Sequence, residues 1–106
     1  MTARPKFNYF RSKQHLKNVA SLPCQNCYIE GQTQAAHSNL AEHGKGRSIK
    51  ASDEYVAALC QKCHYELDQG GRLNKEQKRN LFMMAYGKTR AKLYAAGLWP
   101  DELKGD

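Results

Sequence analysis

Two pairs of cysteines with one spacing, Cys24-Gln-Asn-Cys27 and Cys60-Gln-Lys-Cys63, account for all four cysteines of the chain. Two thiolates at this spacing can both reach one tetrahedral ion, and two such pairs complete a four-cysteine zinc site with no coordination position left open. Such a zinc holds a fold and performs no chemistry. Its binding energy, on the order of 10 kcal/mol, is part of the folding free energy. Disulfides or a redox CxxC pair are the other uses of these residues. Two copies of the motif without a βαβ context argue against the redox pair, and a reducing compartment argues against disulfides.

A second group of residues could do chemistry. His64 follows the last cysteine pair directly, and Asp68 stands four residues on. On a helix these two share a face one turn apart, so an imidazole and a carboxylate there can bind one divalent cation. The pair also fits an exposed helix couple. His37, at the end of a short strand and expected to face that helix, is a candidate general base near neutral pH, or else a core histidine bonded to the backbone. Asp53, just before the second strand, fits a metal ligand, a carboxylate that supports the site from behind its ligands, or a turn carboxylate. The loop Asn39-Leu-Ala-Glu-His-Gly-Lys-Gly-Arg47 could offer backbone N–H groups, Lys45 and Arg47 to phosphates, with Lys50 further along, or be only a solvated turn. His43 in that loop could swing toward a metal. His15 reads as a surface residue without a role.

These residues need a frame. Ser12 can cap a helix over 12–21 with Leu16, Val19 and Ala20 on one face, and Pro23 closes it and presents Cys24. Gly31 suits the turn of a zinc knuckle. Strands are expected at 33–38 and 55–59, a loop at 39–54, and a helix from Cys60 to about Gln69 stopped by Gly70-Gly71. Asn74 can cap a last helix whose apolar stripe is Leu81, Phe82, Met84 and Ala85, with Gly87 as its weak point and Gly97 as its end. Leu98-Trp99-Pro100 is expected to fold back. Residues 1–11 form a basic, aromatic arm, ordered where Phe7 or Phe10 finds a groove, and 12–106 form one domain.

At 106 residues the core is small and a metal staple is in order. Seventeen Lys and Arg against ten Asp and Glu give a net charge of +7, which suits a polyanion such as nucleic acid. The start Met-Thr-Ala-Arg-Pro-Lys leads into no apolar segment, and no run approaches a membrane span, so the expectation is a cytoplasmic protein without a membrane partner.

Taken together, Leu22-Pro-Cys-Gln-Asn-Cys27, Ala35-Ala-His-Ser-Asn39, His43-Gly-Lys-Gly46, Lys50-Ala-Ser-Asp53 and Leu59-Cys-Gln-Lys-Cys-His-Tyr-Glu-Leu-Asp68 resemble the HNH or His-Me finger nucleases. Small phage and prophage proteins related to recombination-enhancement nucleases are the nearest likeness, over about 12–71. The resemblance implies a small α+β zinc-bound treble clef, with a ββα-metal core and flanking N- and C-terminal helices. It implies metal-dependent hydrolysis of DNA, with a role in recombination or processing and with recombination or replication proteins as further partners. His37 matches the general base, Asp53 the middle Asn/Asp position, and His64 and Asp68 the ligands of the catalytic ion. Ala36 departs from the pattern, because many such enzymes carry Asp or His there as a ligand. Asp68 replaces a common histidine, which keeps ligation and favours Mg²⁺ or Mn²⁺. Water, Asp53 or a DNA phosphate would fill the place left at Ala36. The alternative is a catalytically degenerate zinc module that binds DNA or a recombination partner.

Overall fold

Val56-Ala-Ala-Leu-Cys60 contains no polar residue, so a strand there must be covered on both faces. In the computed structural model, which describes residues 8–104, all five of these positions are buried. The order of elements is α1 (Lys13–Ala20), β1 (Thr33–His37), a 3₁₀ turn (Ala41–His43), β2 (Val56–Cys60), α2 (Gln61–Asp68), α3 (Lys75–Ala95) and a 3₁₀ turn (Asp101–Leu103). The strands form a two-stranded antiparallel sheet in the register Thr33↔Cys60 to His37↔Val56. All three helices pack on it, giving a small α+β domain.

Local chemistry sets the helix ends. The Ser12 side chain accepts from the His15 N–H and starts α1. Cys60, the last residue of β2, caps α2 through its sulfur, which accepts from the Cys63 N–H. Asn74 and Gln77 form a reciprocal capping box at the start of α3. Gly97, with φ +72°, ends α3 in a Schellman arrangement: Gly97 N–H bonds to Tyr94 O and Leu98 N–H to Leu93 O. Gly70 stops α2 where a Cβ would come 2.9 Å from the Glu66 backbone. The outer edge of β2 is covered too. Ala58 N–H donates to Thr89 Oγ1 (2.9 Å), and Ala58 O accepts from Gln25 N–H (2.8 Å).

Four expectations change. On α3 the buried face is Phe82, Ala85, Tyr86, Thr89 and Leu93; Met84 is exposed, and the helix runs unbroken through an exposed Gly87. His15 is 2% exposed, held edge-on between Phe10 and Trp99, because the segment after α3 does fold back and brings Trp99 onto α1. Within the described part of the arm, residues 9–11 are tied to the loop before β2. Tyr9 OH donates to Gly44 O, Phe10 N–H to Ser52 Oγ, and Arg11 to the carbonyls of Lys50 and Ala51. Phe7 lies outside the described residues. Finally, the loop at 39–54 is packed, with His43, Ala51, Ser52 and Asp53 buried.

Candidate functional site

Pro23 ends the approach from α1 and places Cys24 at the start of a tight reversal, in which Tyr28 N–H bonds to Cys24 O and Cys24 N–H to Ile29 O (2.9 Å each). The reversal puts Tyr28, not Gly31 alone, in the left-handed region at φ +66°, a conformation that costs a side-chain-bearing residue about 1–2 kcal/mol. Its hydroxyl accepts from Lys88 of α3. Cys60 and Cys63 face this turn from the junction of β2 and α2.

The four sulfurs lie within 4.8 Å of one another, and Cys27 Sγ is 3.6 Å from Cys60 Sγ. A tetrahedron with metal–sulfur bonds of about 2.3 Å has edges of about 3.8 Å, so the set fits one ion such as zinc. N–H groups turn toward the sulfurs as they would toward thiolates. Asn26 and Cys27 N–H point at Cys24 Sγ (3.4 Å each), and Asn26 Nδ2 donates to Cys63 Sγ (3.2 Å). Burial opposes ionisation of Cys24, yet the N–H groups of Cys27 and Asn26, among others, bring it down to about 6. Burial pushes Cys63 up to about 12. Four crowded thiols cannot all ionise without a cation, and a bound ion must displace the Cys63 proton.

His37, opposite Val56 at the end of the sheet, has a buried carboxylate for a partner. His37 Nε2 is 2.7 Å from Asp53 Oδ1, and Asp53 is 4% exposed. The same carboxylate accepts from Arg11 Nη1 at Oδ1 (3.1 Å) and from Ser12 N–H at Oδ2 (2.9 Å). Burial pushes the Asp53 carboxyl upward, and the hydrogen bonds from His37, Ser12 and Arg11 outweigh that and hold it below the usual carboxylate range. Both oxygens of Asp53 are thus engaged by His37 and the start of α1. That leaves it poorly placed as the metal ligand considered from its position in the sequence. A carboxylate only accepts, so Nε2 of His37 carries a proton, and Nδ1 has no hydrogen bond among the described residues.

His64 and Asp68 do meet across one turn of α2: Nε2 is 3.0 Å from Oδ2. Two residues from β1 and its exit complete the set. Gln34 Oε1 is 2.7 Å from His64 Nδ1, and Asn39 Nδ2 donates to Asp68 Oδ1 at 2.7 Å. Burial raises the Asp68 carboxyl, but the bonds from His64 and Asn39 and the charges of His64 and Lys45 bring it below its usual range. Along β1, Gln34 and Ala36 share the face toward α2, whereas His37 lies on the other face, toward Asp53. Ala36 is fully buried there. His37, Asp53, His64 and Asp68 do not gather as the cysteines do; among the described residues the cysteines alone form so close a set of three or more such groups.

Lys45, Arg47 and Lys50 are exposed, and Lys45 is near enough to Asp68 for its charge to be felt. The loop is no backbone cradle for phosphate, because the N–H groups of Gly44, Lys45 and Gly46 are bonded to Ala41, Leu40 and Ile49 carbonyls. His43 is not free to swing outward. It is buried, bonded through Nδ1 to Ser38 Oγ (2.7 Å) and stacked on Tyr55 at 4.0 Å.

Residues 1–88 match the family described as "Protein of unknown function (DUF968)". The chain belongs to the DUF968 family. No curated protein and no solved structure matches it. The matched DUF968 segment takes in all four cysteines, His37, Asp53, His64 and Asp68, and stops one residue short of Thr89. Among its described residues no helix is long and apolar enough to cross a membrane. Gln34 could have been suspected from its two-residue offset from Ala36 on one strand face. Arg11 carries no signal in the sequence, since only the tertiary fold brings it to Asp53.

Proposed function

We propose that this chain is a metal-dependent DNA endonuclease of the HNH type, a ββα-metal core on a treble-clef zinc site, acting in DNA recombination or processing. One observation carries the reading. His37, seated on buried Asp53 with Nδ1 unbonded among the described residues, lies between two contacts to α2, Gln34 of β1 to His64 and Asn39 just after β1 to Asp68. Asn39 is two residues from His37, at most about 7 Å of backbone.

In this reading Nδ1 of His37 takes a proton from a water whose oxygen attacks the phosphodiester phosphorus in line with the leaving oxygen. The Asp53 carboxylate holds the productive tautomer and stabilises the imidazolium that forms. His64 Nε2 and Asp68 Oδ2, 3.0 Å apart, have the spacing of neighbouring ligands on one ion with bonds of about 2.1 Å, so the donor pair fits Mg²⁺ or Mn²⁺. Such an ion, when bound, supplies Lewis-acid stabilisation of charge on the phosphoryl and leaving oxygens. Lys45, Arg47 and Lys50 would contact DNA phosphates through their side chains alone, and a site reading phosphates has weak sequence preference.

A second reading, a zinc module that binds DNA or a recombination partner without cutting, is favoured by buried Ala36 and by His37 facing away from α2. Plasmid incubated with Mg²⁺, Mn²⁺, Ni²⁺ or Zn²⁺ separates the two. The nuclease reading expects nicked or linear product from the wild type, reduced about 10²–10⁴-fold in His37→Ala. Salt-sensitive DNA binding with no cutting by either protein would leave the binding module standing instead.

A further inference from the structure

We propose that Gln34 and Asn39 are positioning residues for the cation on His64 and Asp68; the proposal rests on the nuclease reading's metal site. Ala36 supplies no ligand from β1, so the strand's contribution must be made another way. Gln34 on β1 and Asn39 just past its end reach α2 at two points, and each point is the far side of a ligand. Gln34 Oε1 lies on Nδ1 of His64, the nitrogen away from Asp68. A carboxamide oxygen only accepts, which fixes the proton on Nδ1 and turns Nε2 toward the side where Asp68 Oδ2 lies. Asn39 Nδ2 donates to Oδ1 of Asp68, which leaves Oδ2 as the oxygen facing Nε2.

The result is a two-ligand clamp whose tautomer and carboxylate rotation are both set by amides from outside α2, one on β1 and one just after it. Metal-binding histidines and carboxylates are usually oriented by such outer partners, and losing one typically weakens metal binding 10–100-fold. Both amides are on exposed residues, so their replacement leaves the core untouched.

The test is titration of the zinc-loaded protein with Mn²⁺, read by calorimetry or by loss of the free-ion resonance signal, with zinc content and circular dichroism confirming the fold. Gln34→Leu and Asn39→Ala are each expected to weaken Mn²⁺ binding 10–100-fold. Gln34→Glu, which keeps an acceptor on Nδ1, is expected to bind at least as tightly as the wild type. If both amide variants bind like the wild type while His64→Ala abolishes binding, the positioning role is overturned and the metal site stands. If His64→Ala leaves Mn²⁺ binding unchanged, or the wild type binds none, the metal site itself is wrong.

Discussion

At the scale of single residues, Asp53 has the most to explain, because it is a charge buried against three donors. Asp53→Asn keeps the shape and an acceptor oxygen, but its amide can donate to Nε2 of His37 and so place the proton on Nδ1, the wrong nitrogen for a base. Cutting of plasmid by Asp53→Asn should therefore fall about 10²–10⁴-fold with little change in DNA affinity, measured by gel shift beside the cleavage assay. An equal fall in affinity would assign Asp53 to the binding surface instead. The four cysteines and the His64–Asp68 pair were legible in the sequence because their spacing is local and a helix or a knuckle turns spacing into geometry. The tie of Asp53 to the arm was not, since Arg11 is 42 residues from Asp53 and only the packing of the arm on the loop joins them.

Among the elements, β2 shows how a short chain satisfies a two-stranded sheet without a third strand. Thr89 serves as one missing neighbour: its hydroxyl accepts from Ala58 N–H and donates to Ala85 O. Thr89→Val keeps the volume and strands a buried N–H, so unfolding by denaturant should show a loss of about 1–3 kcal/mol, while Thr89→Ser should retain most of the stability. Helix and strand positions followed from periodicity and caps to within a residue or two. The face of α3 did not, because its buried stripe passes through Tyr86 and Thr89, whose polar atoms obscure it, while exposed Met84 imitates a core position. The same blindness applies to α1, where buried His15 has no hydrogen-bond partner for either ring nitrogen among the described residues.

For the molecule as a whole, stability should depend on acid and on metal. Burial holds the folded-state values of His15 and His43 below the usual histidine range, so the unfolded chain binds these protons first. Their contribution is complete above about pH 6.5 and is lost as pH falls from there toward the folded-state values. Melting temperatures of the zinc-loaded protein from pH 7.5 to 5.5 should fall, and His15→Phe should flatten that slope and raise stability at pH 6; an unchanged slope would clear His15 of the effect. Chelation should unfold the domain, followed by loss of helical signal. The cysteine pairs also close the chain into a ring: Cys27 and Cys60 are 33 residues apart, and the exposed basic stretch at 45–50 lies between them. A metal there acts on the unfolded chain as a crosslink would, worth about 3–4 kcal/mol for a loop of that length. Trypsin cutting after Lys45, Arg47 or Lys50 would open that ring without releasing either end. The two fragments should travel together on a sizing column and part only when the ion is removed, so the protein, once nicked, is held together by its metal and its sheet and not by its backbone.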